Sequence, residues 1–294
     1  MQNKIQLKPV RHTRTYKSRM FEMVFCNKKD LLGLYNAING TAYDNPDLLE
    51  INTLENAIYM SMQNDLSFII DARLALYEHQ STYNPNLPLR FLMYVASLYS
   101  VMVENENLYG TKLIHLPTPR FVIFYNGIDE QPDRQELRLS DSFHVTDNSP
   151  ALELTAVMLN INEGHNKALM SQCKTLRDYA KYVEMVRKYA RVMDLEQAVD
   201  MAIDDCIKND ILAEFLRNNR AEAKNVSIFE YDEVKHMRQV REEGFDEARD
   251  IINRLNQLLA EQHRTEDIIK AAADAEYQRT LLKEFGLLSN VTRP

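Results

Sequence analysis

The chain has 294 residues, enough to bury one large hydrophobic core or two smaller ones. With 45% apolar and 27% charged residues, 7 glycines and 9 prolines, its composition is that of a folded, helix-rich protein and not of a disordered or collagen-like one. The net charge of -8 argues against a protein that coats nucleic acid indiscriminately, because such affinity comes from neutralised phosphates.

Residues 1–20, MQNKIQLKPVRHTRTYKSRM, lack the apolar centre of a signal peptide, and no stretch reaches the roughly 18 apolar residues of a membrane helix. A cytoplasmic protein without a membrane partner is expected. Up to residue 29 the chain carries Lys4, Lys8, Arg11, Arg14, Lys17, Arg19, Lys28 and Lys29 against the single acid Glu22. Such an arm either meets a phosphate backbone or is simply solvated. Cys26, Cys173 and Cys206 form no C-x-x-C pair, which points to free thiols and not to a disulfide framework or zinc site.

Asn27 with Asp30 three residues on is a helix start, Leu31, Leu32, Leu34, Tyr35 and Ile38 follow at helical spacing, and Gly40 is a stop. Residues 41–52 read as a loop and 54–62 as a strand. From Asp65 two adjacent segments alternate with period two, DLSFIID and ARLALYEHQST, which predicts an antiparallel hairpin. A helical stripe of Leu89, Leu92, Met93, Ala96 and Val103 comes next, then a buried-strand candidate at 119–127 ending in FYNG, and another at 152–160.

This order predicts an α/β fold with a mixed sheet and a helix crossing between strands. Beyond residue 165 the pattern is helical, with segments near 166–191, 194–220, 227–261 and 265–285. The expected division is a sheet-based core over 1–165 and a helical region over 166–294. In the first of these helices, positions 177, 181, 184, 188 and 191 form a charged face, with Tyr179, Val183, Val186 and Ala190 behind it.

Strand alternation puts Glu78 and Gln80 on one face and His79 on the other. If the hairpin turns at Asp71-Ala72, cross-strand partners sum to 143 and Asp65 stands opposite Glu78, with Cβ atoms about 5 Å apart. Two facing carboxylates repel unless a cation or a shared proton compensates them, and Mg²⁺ or another divalent cation suits one or two carboxylates plus waters and phosphate oxygens. The competing reading is a solvated edge strand, and a one-residue slip would part the carboxylates. Arg90 and Tyr94, four apart, share one helix face, suited to a phosphate contact or to a salt bridge with a core acid. Glu55 is a further acid on the preceding strand. The remaining histidines show no H-x-x-x-H or Ser-His-Asp arrangement, and no phosphate-binding glycine loop exists.

Asp65, Glu78-His79-Gln80-Ser81, Arg90 and Tyr94, supported by the Phe21 to Phe25 stretch and by FYNG at 124–127, occur in the order in which they recur in one nuclease group. The segment NDLSFIIDARLALYEHQSTYNPNLPLRFLMYVASLY resembles the core of the recombination-promoting nuclease (Rpn) or YhgA-like putative transposases, of the PD-(D/E)XK superfamily, and the likeness extends to about residue 225. It implies a restriction-endonuclease-like core and metal-dependent cleavage of DNA. Asp65, Glu78 and Gln80 would be catalytic, Arg90 and Tyr94 would meet the nucleic acid, and the metal would be held by Asp65, Glu78 and the main-chain carbonyl of His79. Gln80 stands where the wider superfamily has Lys, and a neutral amide orients only by hydrogen bonding. The alternative is a nuclease fold kept for DNA binding or assembly. A homodimer through the C-terminal helices is expected for cutting both strands.

Overall fold

A computed structural model describes residues 19–51 and 66–287. Asp65, Glu55, the strand expected over 54–62 and the basic arm through residue 18 lie outside the described residues. Among those described, the fold is α/β, built on a mixed six-stranded sheet of order β1-β2-β3-β4-β6-β5.

Two helices lead in, α1 (Arg19–Phe25) and α2 (Lys28–Asn39). The Asn27 side chain accepts from the backbone N–H of Asp30, and Gly40 closes α2 in the left-handed conformation, as the sequence predicts. The strands are β1 (Glu50–Ile51), β2 (Leu66–Ile70), β3 (Arg73–Gln80), β4 (Thr118–Tyr125), β5 (Arg134–Arg138) and β6 (Thr155–Asn160). The hairpin of β2 and β3 turns at Asp71 and Ala72, both at positive φ, and its pairs run from Ile70 with Arg73 to Leu66 with Tyr77. Every pair sums to 143, the expected register.

Helix α3 (Leu87–Met102) crosses from β3 to β4, which pair in parallel over their whole length, Arg73 with Thr118 through Gln80 with Tyr125. Pro88 sits in its first turn, where no intrahelical N–H is needed. Leu87, Phe91, Tyr94, Val95 and Leu98 make its buried stripe. They pack on one sheet face with Leu74, Leu76, Ile123, Tyr125 and Met158. Each such side chain contributes at most about 1.5–3 kcal/mol of burial. Strand β5, antiparallel to β6, was not expected: its sequence, RQELR, buries only Leu137, so little apolar alternation marks it.

The other face carries Phe68, Tyr77, Val122, Phe124 and Ile161, covered by α1, α2, α4 (Lys167–Gln172), α5 (Lys174–Ala190), α6 (Leu195–Lys208), α7 (Ala213–Asn218) and the start of α8 (Arg220–Glu261). The change from strands to helices near residue 165 is present, yet these helices share the sheet's core. The chain divides into compact units between Tyr231 and Asp232. The second unit, with α9 (Thr265–Ala273) and α10 (Ala275–Glu284), has a small core of Leu255, Leu259, Ala271, Leu281 and Leu282. Among the described residues, no helix is long and apolar enough to cross a membrane.

Candidate active site at the carboxyl end of the third strand

Strand β3 ends on Glu78, His79 and Gln80. Leu74 and Leu76 pack under α3, whereas Ala75 and Tyr77 join the opposite core. Alternation therefore carries Glu78 and Gln80 onto the α3 face and His79 onto the other. Glu78 is 1% exposed, although a buried carboxylate is costly unless it is paired and hydrogen-bonded.

Among the described residues its partners come from β3 itself and from the first turn of α3. Arg90 Nη2 and Gln80 Nε2 both donate to Oε2 of Glu78, each at 3.3 Å. Arg90 also donates from Nε and Nη2 to the Tyr94 hydroxyl oxygen, at 3.2 and 2.9 Å. The four side chains thus form one polar cluster at the tip of an apolar strand. Of the two roles open for Arg90, the ion pair with a core acid is present, and 28% of the Arg90 side chain remains exposed.

His79 stands away from this cluster. Its ring stacks on Phe21 at 5.1 Å and meets the Tyr179 ring edge-on, with the Tyr179 hydroxyl 3.0 Å from Nε2. Burial, followed by the nearby positive charge of Arg187, pushes its pKa down to about 3. The ring is therefore neutral packing material and not a base for the Glu78 face. Its main chain is a separate matter. The Gln80 carbonyl accepts from Asn126 N–H at 2.9 Å, so it points toward β4, and the preceding carbonyl of His79 points the opposite way, to the β2 side.

The FYNG segment closes the same end of the sheet. A Cβ on Gly127 would lie 2.3 Å from the Tyr125 hydroxyl and 2.5 Å from the Ser81 carbonyl oxygen, so only glycine fits. Arg187 ties this corner to α5: it donates to the Asn126 carbonyl and, at 2.9 Å, to Asn162 Oδ1. Asn162 Nδ2 in turn donates to the Gly127 carbonyl. Sequence reasoning missed this residue. The available signal was its spacing, since an arginine four after Val183 and three before Ala190 lies on the apolar stripe of α5, not on its charged face.

A cavity of about 400 Å³ opens beside this corner, and Gly127, Asn160, Asn162, Arg187 and the acids Asp129 and Glu184 are among its lining residues. Neither Glu78 nor Gln80 lines it. Among the described residues no three His, Cys, Asp or Glu side chains gather into a metal cage. Glu78 and the His79 carbonyl are nevertheless hard oxygen donors of the kind that Mg²⁺ takes alongside water. Comparison with protein-family models, with curated proteins and with solved structures gives no match to this chain.

Proposed function

We propose that the chain is a metal-dependent DNA endonuclease of the Rpn-like type, with a restriction-endonuclease-like core, that hydrolyses phosphodiester bonds at the carboxyl end of β3. The observation that carries this reading is the buried Glu78 carboxylate, held by Gln80 and Arg90 where an apolar strand turns polar. Such placement is costly for a structural acid and useful for an acid that must present an oriented oxygen.

In this reading Asp65, Glu78 and the His79 carbonyl would hold Mg²⁺ or another divalent cation, which when bound would supply positive charge to activate a water and to offset the charge of the scissile phosphate. Gln80 orients the water through its amide, and Arg90, steadied by Tyr94, meets a phosphate oxygen. Two copies paired through their C-terminal helices would cut both strands. The test is plasmid incubation with Mg²⁺ or Mn²⁺, beside Asp65→Ala and Glu78→Ala variants. Cleavage confined to the wild-type chain supports the assignment, and cleavage that survives in both variants defeats it.

One observation favours a second reading, a nuclease fold retained for DNA binding or assembly. Arg90 already neutralises Glu78, and Gln80 supplies no charge of its own. DNA binding without cutting under several metals would support it.

A further inference from the structure

We propose that Arg90 is the gate of the Glu78 site: it occupies the carboxylate until a divalent cation displaces it, and the displaced guanidinium then becomes the clamp on a DNA phosphate. The inference rests on the nuclease reading above and concerns how that site is controlled.

Three features carry it. First, Arg90 Nη2 and Gln80 Nε2 converge on one oxygen, Oε2 of Glu78, at 3.3 Å each, so a cation arriving at that oxygen meets the guanidinium there. Second, exposure is graded, with 1% of the Glu78 side chain and 28% of the Arg90 side chain open to solvent, so Arg90 is the more exposed member of the pair. Third, Arg90 has a neutral second support. The Tyr94 hydroxyl oxygen accepts from Nε at 3.2 Å and from Nη2 at 2.9 Å, and the guanidinium carbon lies 5.8 Å from the centre of the Tyr94 ring.

A monovalent and a divalent cation at one carboxylate oxygen repel each other, so metal binding weakens the Arg90 to Glu78 contact. Tyr94 carries no charge and keeps its hold, which makes it the pivot on which the guanidinium turns outward. There a bidentate fork suits phosphate oxygens. The converse follows by linkage: a phosphate that draws Arg90 off Glu78 frees the carboxylate for metal, and each ligand raises the affinity for the other by the same factor. The chain alone therefore holds divalent metal weakly and takes it up on its substrate.

The test is calorimetric titration of Mn²⁺ into the full chain, alone and with a short duplex carrying phosphorothioate linkages, for wild type, Arg90→Gln, Tyr94→Phe and Glu78→Gln. Without DNA, Arg90→Gln is expected to bind Mn²⁺ at least about fivefold more tightly than wild type, and the wild-type coupling of Mn²⁺ to duplex, about five- to 150-fold, falls toward one in this variant. Tyr94→Phe takes away the support of the displaced guanidinium and is expected to weaken Mn²⁺ binding, and unchanged or tighter binding in this variant overturns the gate if Arg90→Gln does not fold. Unchanged or weaker Mn²⁺ binding on loss of Arg90, with Glu78→Gln still abolishing it, overturns the gate and leaves the nuclease reading standing. No Mn²⁺ binding by any of the proteins, with or without DNA, overturns both.

Discussion

The Tyr179 hydroxyl lies 3.0 Å from Nε2 of His79, on the face of β3 turned away from Glu78. Two neighbours in sequence thus serve opposite sides of the sheet, one as polar edge and one as packing against α1 and α5.

The pH dependence of stability follows from that burial. His79 is held near 3 when folded and returns to about 6.5 when unfolded, so the unfolded chain takes up a proton first as pH falls. Its contribution is fully present above the unfolded value and is lost as pH drops from about 6.5 toward 3. Wild type should lose about 1 kcal/mol more than His79→Gln between about pH 6 and 5. Urea unfolding at the two pH values measures it, and parallel losses would contradict the assignment.

At Gly127 the prediction is steric. The added methyl of Gly127→Ala would press on the Tyr125 hydroxyl and on the Ser81 main chain, neither of which is a flexible chain end. Overpacking of this kind costs about 1–3 kcal/mol, and the urea midpoint should fall accordingly. An unchanged midpoint would show that the corner opens freely.

How much of this was legible in the sequence depends on the range of the interaction. The β2–β3 register could be read because period-two alternation and a two-residue turn are local properties, and Leu66 with Tyr77 falls where they put it. The helix start at Asn27 and its stop at Gly40 were readable for the same reason. The ion pair of Arg90 with Glu78 was only one of two options, since it depends on how α3 settles on the sheet. Strand β5 escaped because an edge strand with one buried residue has almost no pattern, and Arg187 because its partners are a main-chain carbonyl and an amide from distant turns. Asp65, on which the facing-carboxylate geometry depends, lies outside the described residues.

Removing the Arg187 fork should loosen the FYNG corner. Hydrogen bonds from a charged donor contribute about 1.5–3 kcal/mol each, so Arg187→Ala, which loses two, should lower stability by about 3–6 kcal/mol. Arg187→Lys should recover little, because a single ammonium cannot span the Asn126 carbonyl and Asn162 Oδ1 as the fork does. Denaturant midpoints of the two variants check this, and full recovery by lysine would refute the bidentate role.

Thiol chemistry offers a direct count. Cys173 and Cys206 are buried, which raises both thiols, Cys206 to about 12, while Cys26 is exposed. A thiol reagent should modify Cys26 alone in the folded chain and all three cysteines after denaturation. Rapid labelling of Cys206 in the native state would count against the packing of α6.

Gln80→Lys addresses turnover. The Gln80 amide nitrogen stands 3.3 Å from Glu78 Oε2, so a lysine there would bring a positive charge beside the carboxylate. Under the nuclease reading the variant should cut plasmid faster than wild type at equal Mg²⁺, by about tenfold or more for a general acid–base or charge contribution. A rate equal to or below that of wild type would assign the limit elsewhere.

The two sides of β3 also differ in how far the chain must travel to make them. Arg90 is 12 positions from Glu78, whereas Tyr179 is 100 from His79 and Arg187 is 61 from Asn126. Closing a loop of about ten residues takes on the order of 10–100 ns, while long-range contacts wait on far slower chain closure. The acidic edge can therefore assemble on the ribosome while its backing helix is still being synthesised, leaving Phe68, Tyr77 and Phe124 with only α1 and α2 against them in the meantime. Nascent chains stalled before α5 should be the aggregation-prone species, and a chaperone would act on the α5 face rather than on the edge that carries Glu78.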